Sequence, residues 1–294
     1  MQHRAQRTIA RPAEVCGIGF LTGADVRLRF LPAEPNHGIA FLRTDCAAPA
    51  IPALVEYTVP RQRRTAIARH GVAVEMIEHV MAALAGLQVD NCLVELNAPD
   101  PPGGDGSSQA FADALCTAGV VTQGVLRKRL AIQCETSVGS DDGAQAIRAM
   151  PRAAAGLALE YTLDYGPNSP IAPQSCRFEI TPESFLNDIV FARTFVLEAE
   201  AEALRAQGYG RRTTARDLLI FGPQGVIDNQ LRVADECARH KVLDCIGDLA
   251  LLGCDLWGVV DAWRTGHRLN AEIVRRLKRS HAEYCPADPI QHAA

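Results

Sequence analysis

The chain has 294 residues, 48% of them hydrophobic and 22% charged, which is typical of a globular protein large enough for two sizeable cores. Lys and Arg number 30 and Asp and Glu 34, giving a net charge of −4. The sequence contains no basic stretch interleaved with aromatic residues, so nothing in it indicates nucleic-acid binding. No apolar run has the length of a membrane span and no signal-peptide core follows the early arginines, so we expect a cytoplasmic protein without a stable membrane span.

The ten cysteines contain no C-x-x-C pair. Several, such as Cys92 and Cys245, stand among apolar residues. We therefore expect small buried hydrophobic side chains rather than disulfides or thiolate metal ligands.

The first half alternates strand and helix patterns. Glycine-marked turns precede alternating apolar residues at Val26, Leu28 and Phe30, which predict a half-buried strand. Further strands are predicted at 38–43 and 92–96, and helices at 75–86 and 111–118. The segment 121–129 is interpreted as a linker.

The second half repeats this plan. Strands are predicted at 130–138, 145–149, 156–163 and 256–262, a helix starts at 182–188, and a long helix covers 235–253. Each half contains a helix end followed by a glycine, an aspartate and an apolar strand, in the stretches AALAGLQVDNCLVEL and GDLALLGCDLWGVVDA. This favours an α+β fold of two similar domains, 1–122 and 123–294, each a mainly antiparallel sheet packed against helices.

The helix at 235–253 carries the residues with the clearest chemistry. His240 and Asp244 are four residues apart and therefore lie one turn above the other, with Asp248 a further turn along. An imidazole and a carboxylate so placed can share one divalent metal ion, and both suit zinc. The alternative is a solvated charged helix face.

A second pair of polar residues, Glu78 and His79, lies on the helix predicted at 75–86. If the two related helices face each other, His79 joins His240 and Asp244 around one ion, which leaves a fourth position for water. Glu78 is then a candidate base for that water. There is no H-E-x-x-H motif, which excludes that class of metalloprotease.

Seven segments occur here in an order and spacing that identify a family: GIGFLTG, FLRTD, IEHVMAALAGLQVDN, DGSS, ARTF, DECARHKVLDCIGDL and TGHRLN. Over nearly its whole length the chain resembles the bacterial UDP-3-O-acyl-N-acetylglucosamine deacetylases. The resemblance implies two α+β domains with the active site between them. It also implies metal-dependent removal of the N-acetyl group, releasing acetate, at the committed step of lipid A biosynthesis.

The resemblance implies a role for individual residues. A zinc ion, or a ferrous ion, would be held by His79, His240 and Asp244. Glu78 would be the general base and His267 the general acid or electrostatic partner, while Thr194 would donate to the amide oxygen.

Three further roles each have a structural alternative. Asp248 would orient His267 and favour its cation, or be a simple acid on the helix face. Lys241 would meet the charged head group of the UDP-activated substrate, or be a solvated helix lysine. Phe195 would pack on the sugar, or belong to the core.

An insert at about 196–229 is longer than a connection between packed elements needs. It places Leu197, Ala201 and Leu204 at i, i+4 and i+7, one apolar stripe if the segment is helical, and a strand is predicted at 217–221. One interpretation is that the insert packs against the rest of the fold and binds no ligand. The resemblance implies instead a hydrophobic passage for the fatty acyl chain, with Leu197 and Leu204 in contact with it.

The chain also departs from the family pattern. Leu21 stands where many members have a histidine, Glu75 and Met76 stand where they have Ser-Thr, and Gly103 and Gly104 replace a bulky apolar pair before Asp105. These departures affect the expected contacts of the acyl chain rather than the reaction. Two other functions remain open: an amidase for another acylated amino-sugar, and a metal-free UDP-sugar-binding paralogue. The acyl length, the physiological metal and the oligomeric state are not predicted.

Overall fold

The computed structural model of the chain describes residues 4–280. The elements of its first part are β1 (Ala5–Ile9), β2 (Ala13–Ile18), β3 (Asp25–Pro32), β4 (Ile39–Arg43), β5 (Ile51–Pro52), β6 (Ala66–Arg69), β7 (Val72–Glu75), α1 (Glu78–Gly86), β8 (Cys92–Leu96) and α2 (Gln109–Ala118). The second part contains β9 (Val120–Leu126), β10 (Arg129–Ala131), β11 (Thr136–Gly139), β12 (Ala146–Met150), β13 (Leu157–Leu163), β14 (Gln174–Ile180), α3 (Pro182–Ser184), β15 (Phe195–Leu197), α4 (Glu198–Ala206), β16 (Leu219–Gly222), β17 (Gly225–Val226), α5 (Glu236–Leu249), β18 (Asp255–Trp263) and α6 (His267–Ser280).

Two sheets share one strand order, which confirms the predicted α+β class and the repeated plan. The first runs β2-β3-β8-β4-β5 and the second β11-β12-β18-β13-β14, with β10 also paired to β18. In each sheet the central strand, β8 or β18, is parallel to one neighbour and antiparallel to the other. Each central strand follows a helix, α1 or α5, as the repeated sequence pattern predicts.

The two aspartates of that repeated pattern meet at one arginine. The guanidinium of Arg4 lies 2.6 Å from a carboxylate oxygen of Asp90, which precedes β8, and 2.6 Å from one of Asp255, at the start of β18. Asp90 is buried, so this pairing joins equivalent points of the two sheets. The division into domains at residue 122 stays a prediction.

Helices α1 and α5 pack with their backbones in contact. A Cβ atom at Gly247 would collide with the carbonyl oxygen of Glu78, so a residue without a side chain is needed there. Asp235, the first residue of the helix predicted at 235–253, stands at the N-cap of α5, and Gly253, the last, has a left-handed φ of 77° after a final 3₁₀ turn. The close approach places the first turn of α1 against the middle of α5.

Several element predictions were wrong. The segment predicted as a linker, 121–129, mostly forms β9, because Val120, Val121 and Thr122 pair with β1 more than 100 residues away. The first helix begins at Glu78 rather than at residue 75, since Glu75 ends β7 and Met76 has a φ of 58°. The stretch 130–138 is divided between β10 and β11, and β14 and α6 were not predicted.

The insert also differs from its predicted helix. Leu197 has extended backbone angles at the N-cap of α4 and belongs to β15, so it lies outside the helix that carries Ala201 and Leu204. Ala201 packs with Leu218 and Ile220 in a small separate cluster. The strand predicted at 217–221 is β16.

Cys92, Cys176, Cys237, Cys245 and Cys254 are buried free thiols, as expected, whereas Cys16, Cys46, Cys116 and Cys134 are free but exposed. Cys285 lies outside the described residues. Within residues 4–280, no helix combines the length and the apolar character that crossing a membrane requires.

Candidate metal centre

Three side chains converge where α1 meets α5. His79 comes from the first turn of α1, and His240 and Asp244 from successive turns of α5. Asp244 Oδ1 lies 3.4 Å from His79 Nε2 and 3.6 Å from His240 Nε2. One atom from each residue lies within 4.8 Å of the others, close enough for all three to bind a single ion.

The donor set fits a cation. Asp244 Oδ1 is buried, and no residue in the described part of the chain donates a hydrogen bond to it. Such an unpaired buried oxygen is rare and calls for a partner. Burial would raise the pKa of Asp244, yet the charge of Lys241 beside it holds that pKa well below its ordinary value, so the ligand is an anion.

His240 is neutral and correctly oriented for a ligand. Burial lowers its pKa to about 4. Its Nδ1–H donates to the carbonyl oxygen of Ala192 at 3.1 Å, because a carbonyl can only accept. The lone pair is therefore on Nε2, the nitrogen that faces Asp244, as in metal sites whose ligand histidines are held from behind.

Glu78 lies beside these three residues and is 3% exposed. Burial raises its pKa, although His267 and His79 oppose that shift. Its Oε2 accepts the backbone N–H of Thr65 at 3.0 Å, and its Oε1 faces His267 Nε2 at 4.0 Å. A buried carboxylate with a raised pKa suits proton transfer near neutral pH.

His267 begins α6 and is held by Asp248. Its Nδ1–H donates to Asp248 Oδ2 at 2.9 Å, which turns Nε2 toward Glu78 and Asp244. Burial alone would lower the pKa of His267, but Asp248 and Glu78 outweigh that effect and raise it to about 9. The site thus combines the anionic carboxylate of Asp244 with the cationic N–H donor of His267.

The other predicted site residues have contacts of their own. Lys241 Nζ donates to Asp244 Oδ2 at 2.6 Å. The hydroxyl of Thr194 donates to the carbonyl oxygen of Gly106 at 2.9 Å. Phe195 is 9% exposed and packs edge-on against His240, with 5.9 Å between ring centres.

One cavity of about 1320 Å³ connects these groups. Glu78, His79, Thr194, Phe195, Leu204, His240, Lys241, Asp244 and His267 all line it. Leu197 is not among the lining residues of the described chain and packs on the main core instead. Asp105 is turned away, with its carboxylate 2.6 Å from Arg232.

Sequence reasoning missed two polar residues behind the site. Thr65 donates to Asp248 Oδ1, and Asn270 Nδ2 donates to Asp248 Oδ2 at 2.8 Å. Thr65 stands in no recognisable motif. Asn270 lies three residues after His267, a helical spacing that would have indicated it if α6 had been predicted.

Three side chains close enough to bind one metal ion, next to a buried carboxylate and a cationic imidazole, resemble the arrangement found in metal-dependent hydrolases. The family described as LpxC, UDP-3-O-acyl N-acetylglycosamine deacetylase, matches residues 6–279, and the chain belongs to this family.

Named relatives agree with this assignment. The chain is 38% identical over 274 residues to a UDP-3-O-acyl-N-acetylglucosamine deacetylase of Myxococcus xanthus, covering 92% of this chain and 86% of that protein. It is 34% identical to the protein of that name in Solibacter usitatus, covering 93% and 91%. It is also 36% identical to a bifunctional LpxC/FabZ enzyme of Chlorobaculum tepidum, covering 93% of this chain and 64% of that protein.

Proposed function

We propose that the chain hydrolyses the N-acetyl group of UDP-3-O-acyl-N-acetylglucosamine at the committed step of lipid A biosynthesis. The observation that carries the chemistry is the buried, unpaired Asp244 Oδ1 facing two imidazole nitrogens, directly beside Glu78. Family membership and the names of the relatives support the substrate.

His79, His240 and Asp244 would hold one zinc or ferrous ion. Bound there, such an ion supplies a Lewis acid that acidifies water and polarises a carbonyl group. Lys241 keeps Asp244 anionic by pairing with its other oxygen, Oδ2, which leaves Oδ1 for the ion.

Glu78 would act as the general base. It accepts a proton from water while the water oxygen bonds to the acetyl carbonyl carbon. Its carboxylate is held by the backbone of Thr65 and shielded from bulk solvent, so Oε1 stays oriented toward the cavity. Positioned proton transfer of this kind contributes typically ~10²–10⁴-fold to a rate.

Thr194 would stabilise the negative charge that develops on the carbonyl oxygen. Its hydroxyl now donates to Gly106, so this role requires the hydroxyl to rotate into the cavity. A donor directed at a developing oxyanion typically contributes ~10²–10³-fold to kcat.

His267 would give its Nε2 proton to the departing glucosamine nitrogen as the carbon–nitrogen bond breaks. Asp248 holds the opposite nitrogen of the ring and maintains the cation. The products are acetate and a free amine, so the proton taken by Glu78 is balanced by the one given by His267.

The cavity is large enough for a substrate with several parts. Arg264 and Arg268 line the same cavity and supply positive charge that suits the diphosphate of a UDP-sugar. On the α4 side, Leu204 and Ala203 provide apolar surface for the acyl chain. We propose that residues 196–229 form this acyl passage, with Phe195 against the sugar.

Two measurements on the purified chain test the proposal. We expect about one zinc or iron per chain by elemental analysis, and acetate release from the 3-O-acylated UDP-sugar that chelation abolishes. Equal rates on the acylated and the non-acylated UDP-sugar would indicate an amidase for other amino-sugars. Absence of both metal and turnover would indicate a binding protein instead.

A further inference from the structure

Thr65 lies at the point where the first half and the second half of the site meet. It directly precedes β6 and is 6% exposed. Its backbone N–H donates to Glu78 Oε2, and its carbonyl oxygen accepts the N–H of Ile77 at 3.3 Å. Both backbone groups of Thr65 are therefore attached to the start of α1, where they hold the proposed base.

The side chain of Thr65 points to the other helix. Its hydroxyl donates to Asp248 Oδ1 at 2.5 Å, across 183 residues of sequence. Asp248 Oδ2 accepts from His267 and from Asn270, and Asn270 is itself oriented by the hydroxyl of Thr265 at 3.1 Å. One carboxylate thus receives three donors, and within residues 4–280 Thr65 is the one donor to its Oδ1.

The consequence is a rigid connection between the two groups that move protons. Glu78 Oε1 and His267 Nε2 lie 4.0 Å apart; Glu78 is held from behind by the N–H of Thr65, and His267 by Asp248, which accepts the Thr65 hydroxyl. Asp248 is fully buried, so without the Thr65 hydroxyl its Oδ1 would have neither water nor a protein donor. The carboxylate would then be held only through Oδ2, and its orientation, together with that of the imidazole bonded to it, would be less restricted.

We propose that Thr65 is a positioning residue which, through its hydroxyl and its N–H, sets the spacing between Glu78 and His267. The inference rests on the proposed function, which gives Glu78 and His267 their roles in proton transfer, but the hydrogen bonds of Thr65 are observed independently of that function. Thr65 does not line the cavity, so it acts through Asp248 and not by touching substrate.

The test compares Thr65→Val, which removes only the hydroxyl, with Thr65→Ser, which keeps it; both retain the N–H bond to Glu78. Thr65→Ala serves as a smaller hydroxyl-free variant if valine prevents folding. Thr8→Val is the matched control, because Thr8 is similarly buried and its hydroxyl also bonds across the fold, to the carbonyl oxygen of Asn91 at 2.7 Å.

We expect Thr65→Val to lower kcat by ~10–100-fold, the usual effect of losing a supporting hydrogen bond behind a reactive group. KM and metal content should stay at wild-type values, Thr65→Ser should recover most of kcat, and Thr8→Val should leave it unchanged. A normal kcat in Thr65→Val, an equal loss in the valine and serine variants, a rise in KM alone, or a loss proportional to missing metal would each overturn the proposal.

A second measurement does not depend on turnover. In protein labelled with ¹⁵N-histidine, the Nδ1–H of His267 should exchange with solvent faster in Thr65→Val than in wild type or Thr65→Ser. Unchanged exchange refutes the positioning role. If the wild type releases no acetate while exchange still responds to the hydroxyl, the proposed function fails and the role of Thr65 stands.

Discussion

Raising the pH should destabilise the metal-free protein through His267. Burial opposes the charged form, yet Asp248 and Glu78 raise the pKa of His267 to about 9 in the folded chain. In the unfolded chain the pKa of a histidine is about 6.5. Because the folded pKa is the higher one, the stabilisation is fully present below about pH 6.5 and is lost as the pH rises through about 9.

The size of the effect follows from the two pKa values. Each tenfold difference in proton affinity is worth ~1.4 kcal/mol, so the free energy of unfolding should lose about 3 kcal/mol over this interval. The His267 side chain is only 11% exposed, and screening by solvent therefore reduces the effect little.

Urea denaturation of the metal-free wild type and of His267→Gln, under reducing conditions from about pH 6 to about pH 10, measures this loss. Groups that titrate in both proteins cancel in the difference between the two free energies of unfolding. We expect the stability of the wild type relative to the variant to decrease by about 3 kcal/mol as the pH rises. Parallel pH profiles would refute the proposed stabilisation of the His267 cation by its carboxylate neighbours.

Further substitutions test the remaining parts of the site. Asp244→Ala should reduce bound metal well below one per chain, measured by elemental analysis, because one of three ligands is lost; full occupancy with full activity would contradict the metal site. Glu78→Gln should keep the metal and lower kcat by ~10²–10⁴-fold, since the amide cannot accept a proton; normal turnover would show a structural role. Gly247→Ala should lower the free energy of unfolding by ~1–3 kcal/mol through overpacking against α1, whereas Gly124→Ala, where a Cβ meets nothing within 4 Å, should not. Leu204→Glu should abolish any rise of kcat/KM with 3-O-acyl length while sparing metal content, and a flat chain-length series on the wild type would remove the proposed passage.

The sequence alone was sufficient for features that depend on local periodicity and on family resemblance. His240, Asp244 and Asp248 share one face of α5 because a helix repeats every 3.6 residues, and the bounds of that helix follow from Asp235 and Gly253. The α+β class and the repeated helix–aspartate–strand pattern were predicted from the same kind of local signal. The structure confirms both.

Only the tertiary structure decided which distant groups meet. The segment 121–129 shows no strand signal of its own, and it became β9 because β1 offers an edge to pair with. His79 reaches the ligands on α5 because Gly247 allows the two helices to touch. Leu197 does not belong to the predicted apolar helix face, because its backbone pairs in β15 before α4 begins.

Thr65 shows most clearly what cannot be predicted from the sequence. Its hydroxyl meets a carboxylate 183 residues away, and no pattern around it in the sequence distinguishes it from any other threonine. Local sequence determines periodicity and capping because those depend on neighbours a few residues apart. The partner of a buried hydroxyl depends instead on how whole helices pack, since burial requires each polar atom to find a donor or acceptor wherever the fold has placed one.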